Sequence, residues 1–267
     1  MKIAIIGCGN MGMAFAKSFL QYNLVKKENL FLIEKSAERA QTLRNEKSGV
    51  VVETIDADLS HCDLIILAVK PQDFASVSQA LAAVILPEQV VLSIMAGIPI
   101  GTIQARLSHR LIIRAMPNTP AMLGMGITGF SAAKDVSFSQ LLKVENLINA
   151  TGRSVFLEDE SMLDAVTALS GSGPAYFYYL VKAMIEAGQR MGFEEAMATQ
   201  LVKQTMLGSF HLINNADQSL DELIKAVASK GGTTEAALRE FESGMLAQTL
   251  QNGILAAQKR ATELSNG

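Results

Sequence analysis

Cysteine is nearly absent from this chain: Cys8 and Cys62 are the only two in 267 residues, too few for a disulfide framework and not spaced as metal ligands. Both read as small buried hydrophobes, and a reducing cytoplasm suits them. Histidine is as scarce. His61, His109 and His211 stand in no motif with a nucleophile or a metal-ligand spacing, so neither covalent nor metal-dependent hydrolysis is expected. No basic run interrupts a net charge of -3, which leaves no electrostatic reason to expect nucleic acid. Apolar residues nowhere approach the ~18 in a row that a membrane span needs. Met1-Lys2 leads straight into a strand pattern, with no separate apolar segment and cleavage site, so neither export nor a membrane span is expected. What remains is the composition of an ordinary folded core, 49% apolar and 18% charged, whose expected partner is a small molecule.

Against these absences, the first residues carry a strong pattern. Positions 3–12 read I-A-I-I-G-C-G-N-M-G, an apolar and mostly β-branched run that ends in Gly7, Gly9 and Gly12 at G-x-G-x-x-G spacing. Gly7 suits a tight turn out of a strand, Gly9 lets backbone approach a pyrophosphate, and Gly12 lets the next helix pack on the strand. A helix predicted over 10–22, opening with Asn10 and Met11, would aim its free N–H groups at the phosphates.

Short apolar runs recur at 30–34, 50–52, 64–69, 90–94, 111–115, 126–132 and 154–157, separated by helical patterns at 36–47, 73–85, 100–107 and 137–150. Runs that do not alternate polar with apolar residues are the mark of strands covered on both faces. The expected fold class is therefore α/β, with an N-terminal Rossmann-type doubly wound sheet over residues 1–158. From 159 to 267 the pattern is helical throughout: 162–169, 175–191, 195–214, 220–227, 234–241 and 243–264. These helices are apolar on more than one face, as in Tyr176, Phe177, Tyr179, Leu180, Ala183 and Met184. Such surface needs a partner, so this all-α half is expected to form a homodimer or larger homo-oligomer.

Glu34 lies ~20 residues beyond the last glycine, where an acid accepts hydrogen bonds from ribose hydroxyls and repels a 2′-phosphate. It favours NADH. Lys35, Ser36 and Arg39 follow directly and could cradle that phosphate, which keeps NADPH open. Lys70, next to Pro71, ends a buried strand, where open α/β sheets bind ligands. The run R-A-M-P-N-T-P at 114–120 is stiffened by two prolines and offers Asn118 and Thr119 as polar groups. S-G-S-G-P-A at 170–175 and S-K-G-G-T-T at 229–234 each read as a glycine-rich helix start able to seat an anion. With no strong base in view, chemistry carried by a bound hydride donor suits this inventory.

I-G-C-G-N-M-G at 6–12, A-V-K-P at 68–71, R-A-M-P-N-T-P at 114–120, L-S-G-S-G-P-A-Y at 169–176 and S-K-G-G-T-T-E-A at 229–236 together resemble pyrroline-5-carboxylate reductase over nearly the whole chain. The resemblance implies a Rossmann domain, a helical domain that interleaves with a neighbouring subunit, and NAD(P)H-dependent reduction of a ring C=N bond. It implies that Gly7, Gly9, Asn10, Met11 and Gly12 hold the pyrophosphate. Ala68, Lys70 and Pro71 would line the ribose and nicotinamide side, with Asn118 and Thr119 beside the nicotinamide. Ser229, Gly231, Gly232, Thr233 and Thr234 would form the substrate pocket, backbone N–H groups near 231–234 binding the carboxylate and the Thr234 hydroxyl, the catalytic candidate, bonding the imine nitrogen. Two positions depart from the family: Lys230 replaces the usual proline, and Glu34 stands where small or basic residues are common. A β-hydroxyacid dehydrogenase would carry a catalytic lysine where this chain has Phe177, and a non-catalytic dinucleotide sensor would not need the 229–234 turn.

Overall fold

The apolar runs become eight short strands of a single sheet, ordered β3-β2-β1-β4-β5-β6-β7-β8. They are β1 (Ile3–Ile6), β2 (Leu30–Ile33), β3 (Val50–Val52), β4 (Leu64–Leu67), β5 (Val90–Ser93), β6 (Ile112–Met116), β7 (Gly126–Ala132) and β8 (Gly152–Phe156). The structure is a computed structural model, and residues 1–266 are described. Six helices accompany the sheet: α1 (Asn10–Gln21), α2 (Ala37–Glu46), α3 (Phe74–Ala82), α4 (Ile100–Leu107), α5 (Phe138–Asn149) and α6 (Met162–Val166). One apolar cluster joins Ile3, Ile5, Phe15, Phe19, Leu32 and Ile66; the other joins Ala4, Ile6, Ile65, Leu67, Phe74 and Ile103. Alternate residues of each strand thus enter different cores, which is why the runs need no polar face.

Neighbours from β3 to β6 are all parallel, whereas β7 runs antiparallel to β6 and β8 parallel to β7. The apolar pattern predicts β7 but not its direction. A parallel return needs a crossover of a dozen or more residues, and only the turn Thr119–Leu123 separates the two strands. β1 lies between β2 and β4, with Ile6 in register with both Ile33 and Leu67, so the strand order reverses there. Doubly wound sheets bind ligands outside the strand ends at such a switch point.

The chain divides into two compact units, Met1–Ser172 with the stretch from Ala257 onward, and Gly173–Ala256. By this measure α6 and the turn after it group with the sheet, although they follow residue 158. The second unit holds α7 (Gly173–Arg190), α8 (Glu195–Asn215), α9 (Leu220–Val227), α10 (Thr233–Ser243) and the first part of α11 (Leu246–Asn266). Its buried residues are Gly173, Gly188 and Ala198 alone. α7 and α8 meet through small residues, a Cβ at Gly188 falling 2.9 Å from that of Ala198. Phe177, Tyr178, Tyr179, Leu201, Phe210 and Leu212 are left exposed. No helix among the described residues is long and apolar enough to cross a membrane.

Candidate functional site

A cleft of about 720 Å³ lies at the carboxyl ends of β1, β2 and β4 and is lined by Gly7, Cys8, Gly9, Glu34, Lys35, Ala68 and Lys70. Asn10, Met11 and Gly12 follow as the first turn of α1, and Pro71 opens the short 3-10 turn Pro71–Asp73. The three glycines answer to three different needs. Gly7 has φ +100°, and a Cβ there would meet the Ala68 carbonyl at 2.8 Å. A Cβ on Gly12 would lie 2.1 Å from the Gly7 carbonyl oxygen, so α1 can approach the turn only because that atom is missing. At Gly9 a Cβ would meet nothing within 4 Å; the room beside this backbone is not filled by the protein. α1 starts at Gly9 with no side-chain cap and no acid in its first turn, leaving its N–H groups for an anion. This cradle fits a dinucleotide pyrophosphate.

Glu34 lies just past β2. Its carboxylate accepts from the N–H of Cys8, inside the glycine turn, at 3.3 Å and from the N–H of Ser36 at 2.9 Å. One side chain therefore joins the strand end to the turn and to the start of α2. Lys35 pairs with Asp73 at 2.8 Å, and the hydrogen bond and charge of Asp73 raise its pKa. Lys70 is exposed and makes no ion pair among the described residues. The Cys8 thiol donates to the Ile33 carbonyl; burial pushes its pKa up to about 12, with Glu34 adding to the shift and Arg39 opposing it. Cys8 is thus an inert protonated spacer, as its size suggested. Asp73 and Glu53 also line the cleft and were not singled out from the sequence.

The 114–120 run does two structural jobs. The Asn118 amide donates to the carbonyl and the hydroxyl of Ser170, both at 3.3 Å, and its oxygen accepts from the Ile127 N–H at 3.0 Å. Asn118 thereby holds its own loop against β7 and the chain after α6, while Thr119 opens the 3-10 turn Thr119–Leu123; neither lines the cleft. Arg114, buried in β6, pairs with Glu160 at 3.0 Å and Asp164 at 3.5 Å. Glu160 also accepts from the first N–H of α4 at 2.8 Å, and Asp164 from the Ser265 hydroxyl at 2.8 Å. A buried charge of this kind is tolerable only with such a full set of partners.

The expected anion seat at 170–175 is corrected by the backbone. α6 runs on through a π turn, Thr167–Gly171, and the Ser172 N–H donates to the Thr167 carbonyl at 2.8 Å. The segment is a wide turn inside a longer helical run rather than a fresh helix start, so its amides are not gathered for a ligand.

The 229–234 segment does begin a helix. Gly231 takes φ +73°, the left-handed region that favours glycine, and a Cβ on Gly232 would fall 2.5 Å from the Ser229 hydroxyl. The Gly232 N–H donates to the Ser229 carbonyl at 2.9 Å. The Gly231 N–H donates to the carboxylate of Glu235, which also pairs with Arg239 at 3.4 Å. Of the amides expected to bind a carboxylate, those of 231 and 232 are thus already engaged, and those of Thr233 and Thr234, in the first turn of α10, are open. The Thr234 hydroxyl is half-buried and has no hydrogen bond among the described residues.

Residues 160–264 match the family model described as pyrroline-5-carboxylate reductase dimerisation, and residues 2–97 match the one described as NADP oxidoreductase, coenzyme F420-dependent. Pyrroline-5-carboxylate reductase of Pseudomonas aeruginosa is 37% identical over 265 residues, covering 99% of this chain and 97% of that one. The enzyme of the same name from Mycobacterium tuberculosis is 36% identical over 287 residues, covering 98% and 96%. Among solved structures, Plasmodium falciparum pyrroline carboxylate reductase with NADP bound has a TM-score of 0.89 at 30% identity and covers 99% of this chain and 98% of that one. Fold, glycine cradle and full-length likeness agree, and this oxidoreductase chain belongs to the pyrroline-5-carboxylate reductase family.

Proposed function

We propose that the chain reduces the C=N bond of 1-pyrroline-5-carboxylate to give L-proline, the last step of proline biosynthesis. The observation that carries this reading is the start of α10, where two open amides and an unpartnered hydroxyl are presented together in a family member. In this reading the first-turn amides of Thr233 and Thr234 hold the substrate carboxylate, with Ser229, Gly231 and Gly232 shaping the turn. The Thr234 hydroxyl donates to the ring nitrogen, which gains basicity as the double bond is lost. Lys230, exposed where the family usually has proline, adds positive charge near the acid group.

The cofactor is NADPH or NADH, with a lean to NADH because Glu34 stands at the end of β2. When bound, the reduced nicotinamide supplies the hydride. Gly7, Gly9, Asn10, Met11 and Gly12 hold its pyrophosphate; Glu34 and Lys35 meet the adenosine ribose; Ala68, Lys70 and Pro71 line the ribose and nicotinamide side. Asn118 and Thr119 serve the nicotinamide end, Asn118 by fixing its loop rather than through a free amide. The working division is a dinucleotide-binding domain over 1–158 and a substrate and dimerisation domain over 159–267, acting in the cytoplasm as a homodimer or larger assembly. The matched dimerisation model and the uncovered faces of α7 and α8 support that assembly. A β-hydroxyacid dehydrogenase reading finds no support, since the apolar ring of Phe177 cannot shuttle a proton.

Thr234→Ala is expected to lower kcat/KM on the order of tenfold to a hundredfold, the effect of losing one hydrogen bond that strengthens in the transition state, with cofactor affinity little changed. Steady-state kinetics with the cyclic imine check this, and an unaltered rate removes Thr234 from the mechanism.

A further inference from the structure

We propose that Asp73 sets cofactor preference: by holding Lys35 it withdraws the cleft's adenosine-side cation from a 2′-phosphate and favours NADH. The assignment rests on the dinucleotide reading of the cleft and deepens it. NADPH differs from NADH by one phosphate on the adenosine ribose, so discrimination depends on which charges face that hydroxyl. Glu34 occupies this end, and each of its carboxylate oxygens is held by a backbone N–H, at 3.3 and 2.9 Å. It cannot swing away from an incoming phosphate without losing both bonds. Lys35 adjoins Glu34 and is, with Lys70, one of the two cations that line the cleft; Arg39, the next after β2, does not line it.

Asp73 is the anchored member of the Lys35–Asp73 pair. Its own N–H donates to the Lys70 carbonyl at 2.9 Å, its carbonyl accepts from the Ser76 hydroxyl at 2.9 Å, and its side chain is 34% exposed against 78% for Lys35. Asp73 ends the 3-10 turn Pro71–Asp73 with helical backbone and runs directly into α3, so its carboxylate is not placed to cap that helix. The carboxylate is turned instead to the lysine, 2.8 Å away. To reach a 2′-phosphate, Lys35 must leave this partner, and the phosphate must then sit near both Asp73 and Glu34.

The test is fluorescence titration of NADH and of NADPH into wild-type protein, Asp73→Asn, and the double variant Asp73→Asn/Lys35→Ala. Asp73→Asn is expected to tighten NADPH twofold to fivefold relative to NADH, the scale of a solvent-exposed ion pair. The double variant is expected to lose that gain, because the freed lysine is what binds the phosphate. An unchanged NADPH to NADH ratio in Asp73→Asn overturns the assignment, and so does a gain that survives removal of Lys35, which would be general loss of negative charge. Failure of both cofactors to bind the wild type overturns the dinucleotide reading itself, and the assignment with it.

Discussion

Glu235 occupies the third position of α10, where an acidic side chain commonly reaches back to cap the helix start. Here it accepts from the Gly231 N–H, inside the turn proposed to hold the substrate carboxylate. A carboxylate of the chain therefore stands beside the open amides proposed to take the acid group of the ligand. Glu235→Gln removes the like charge and offers a weaker acceptor, so it is expected to lower the KM for the imino acid twofold to fivefold with kcat little changed. An unchanged or raised KM in steady-state assays would show that Glu235 only caps the helix. Residues of this kind mark where reading the chain alone stops. Gly7, Gly9, Gly12 and Glu34 announce themselves through spacing, because strand, turn and helix are local. Asp73 meets Lys35 across 38 positions and Arg114 meets Glu160 across 46, and neither pairing leaves a trace in nearby sequence. The Glu235 contact is local but depends on the left-handed Gly231, which aims its N–H at a side chain four positions on.

At the scale of elements, helices are visible because burial on one face imposes a period, and strands because burial on both faces leaves an unbroken apolar run. The direction of β7 and the π turn Thr167–Gly171 are not, since each is decided by which backbone group finds which partner. The second unit's helices carry a clearer message. α7 and α8 together span residues whose large apolar side chains, among them Phe177, Leu201 and Phe210, remain exposed, and the unit buries only two glycines and one alanine. Helices gain most of their stability from packing an apolar face, and the proposed cover for these faces is a second copy of the chain. Size-exclusion chromatography with light scattering at micromolar concentration is expected to give a dimer or a larger assembly. A monomer would contradict the proposed role of these faces.

The whole molecule carries a Rossmann-type unit whose glycine turn fits a dinucleotide and a helical unit whose α10 start presents open amides, in a chain similar end to end to pyrroline-5-carboxylate reductases. The change from strand-like runs to helices is readable in the sequence near 159, whereas the compact units part after Ser172, because α6 is fastened to the sheet by Arg114. The direct test is to follow nicotinamide absorbance and proline together while the purified protein is given 1-pyrroline-5-carboxylate with NADH or NADPH. On the proposed function, reduced nicotinamide is consumed in step with proline formed, and 3-hydroxyacids offered with the oxidised cofactors give no turnover. Protein that binds the cofactor yet leaves the cyclic imine unreduced would contradict it.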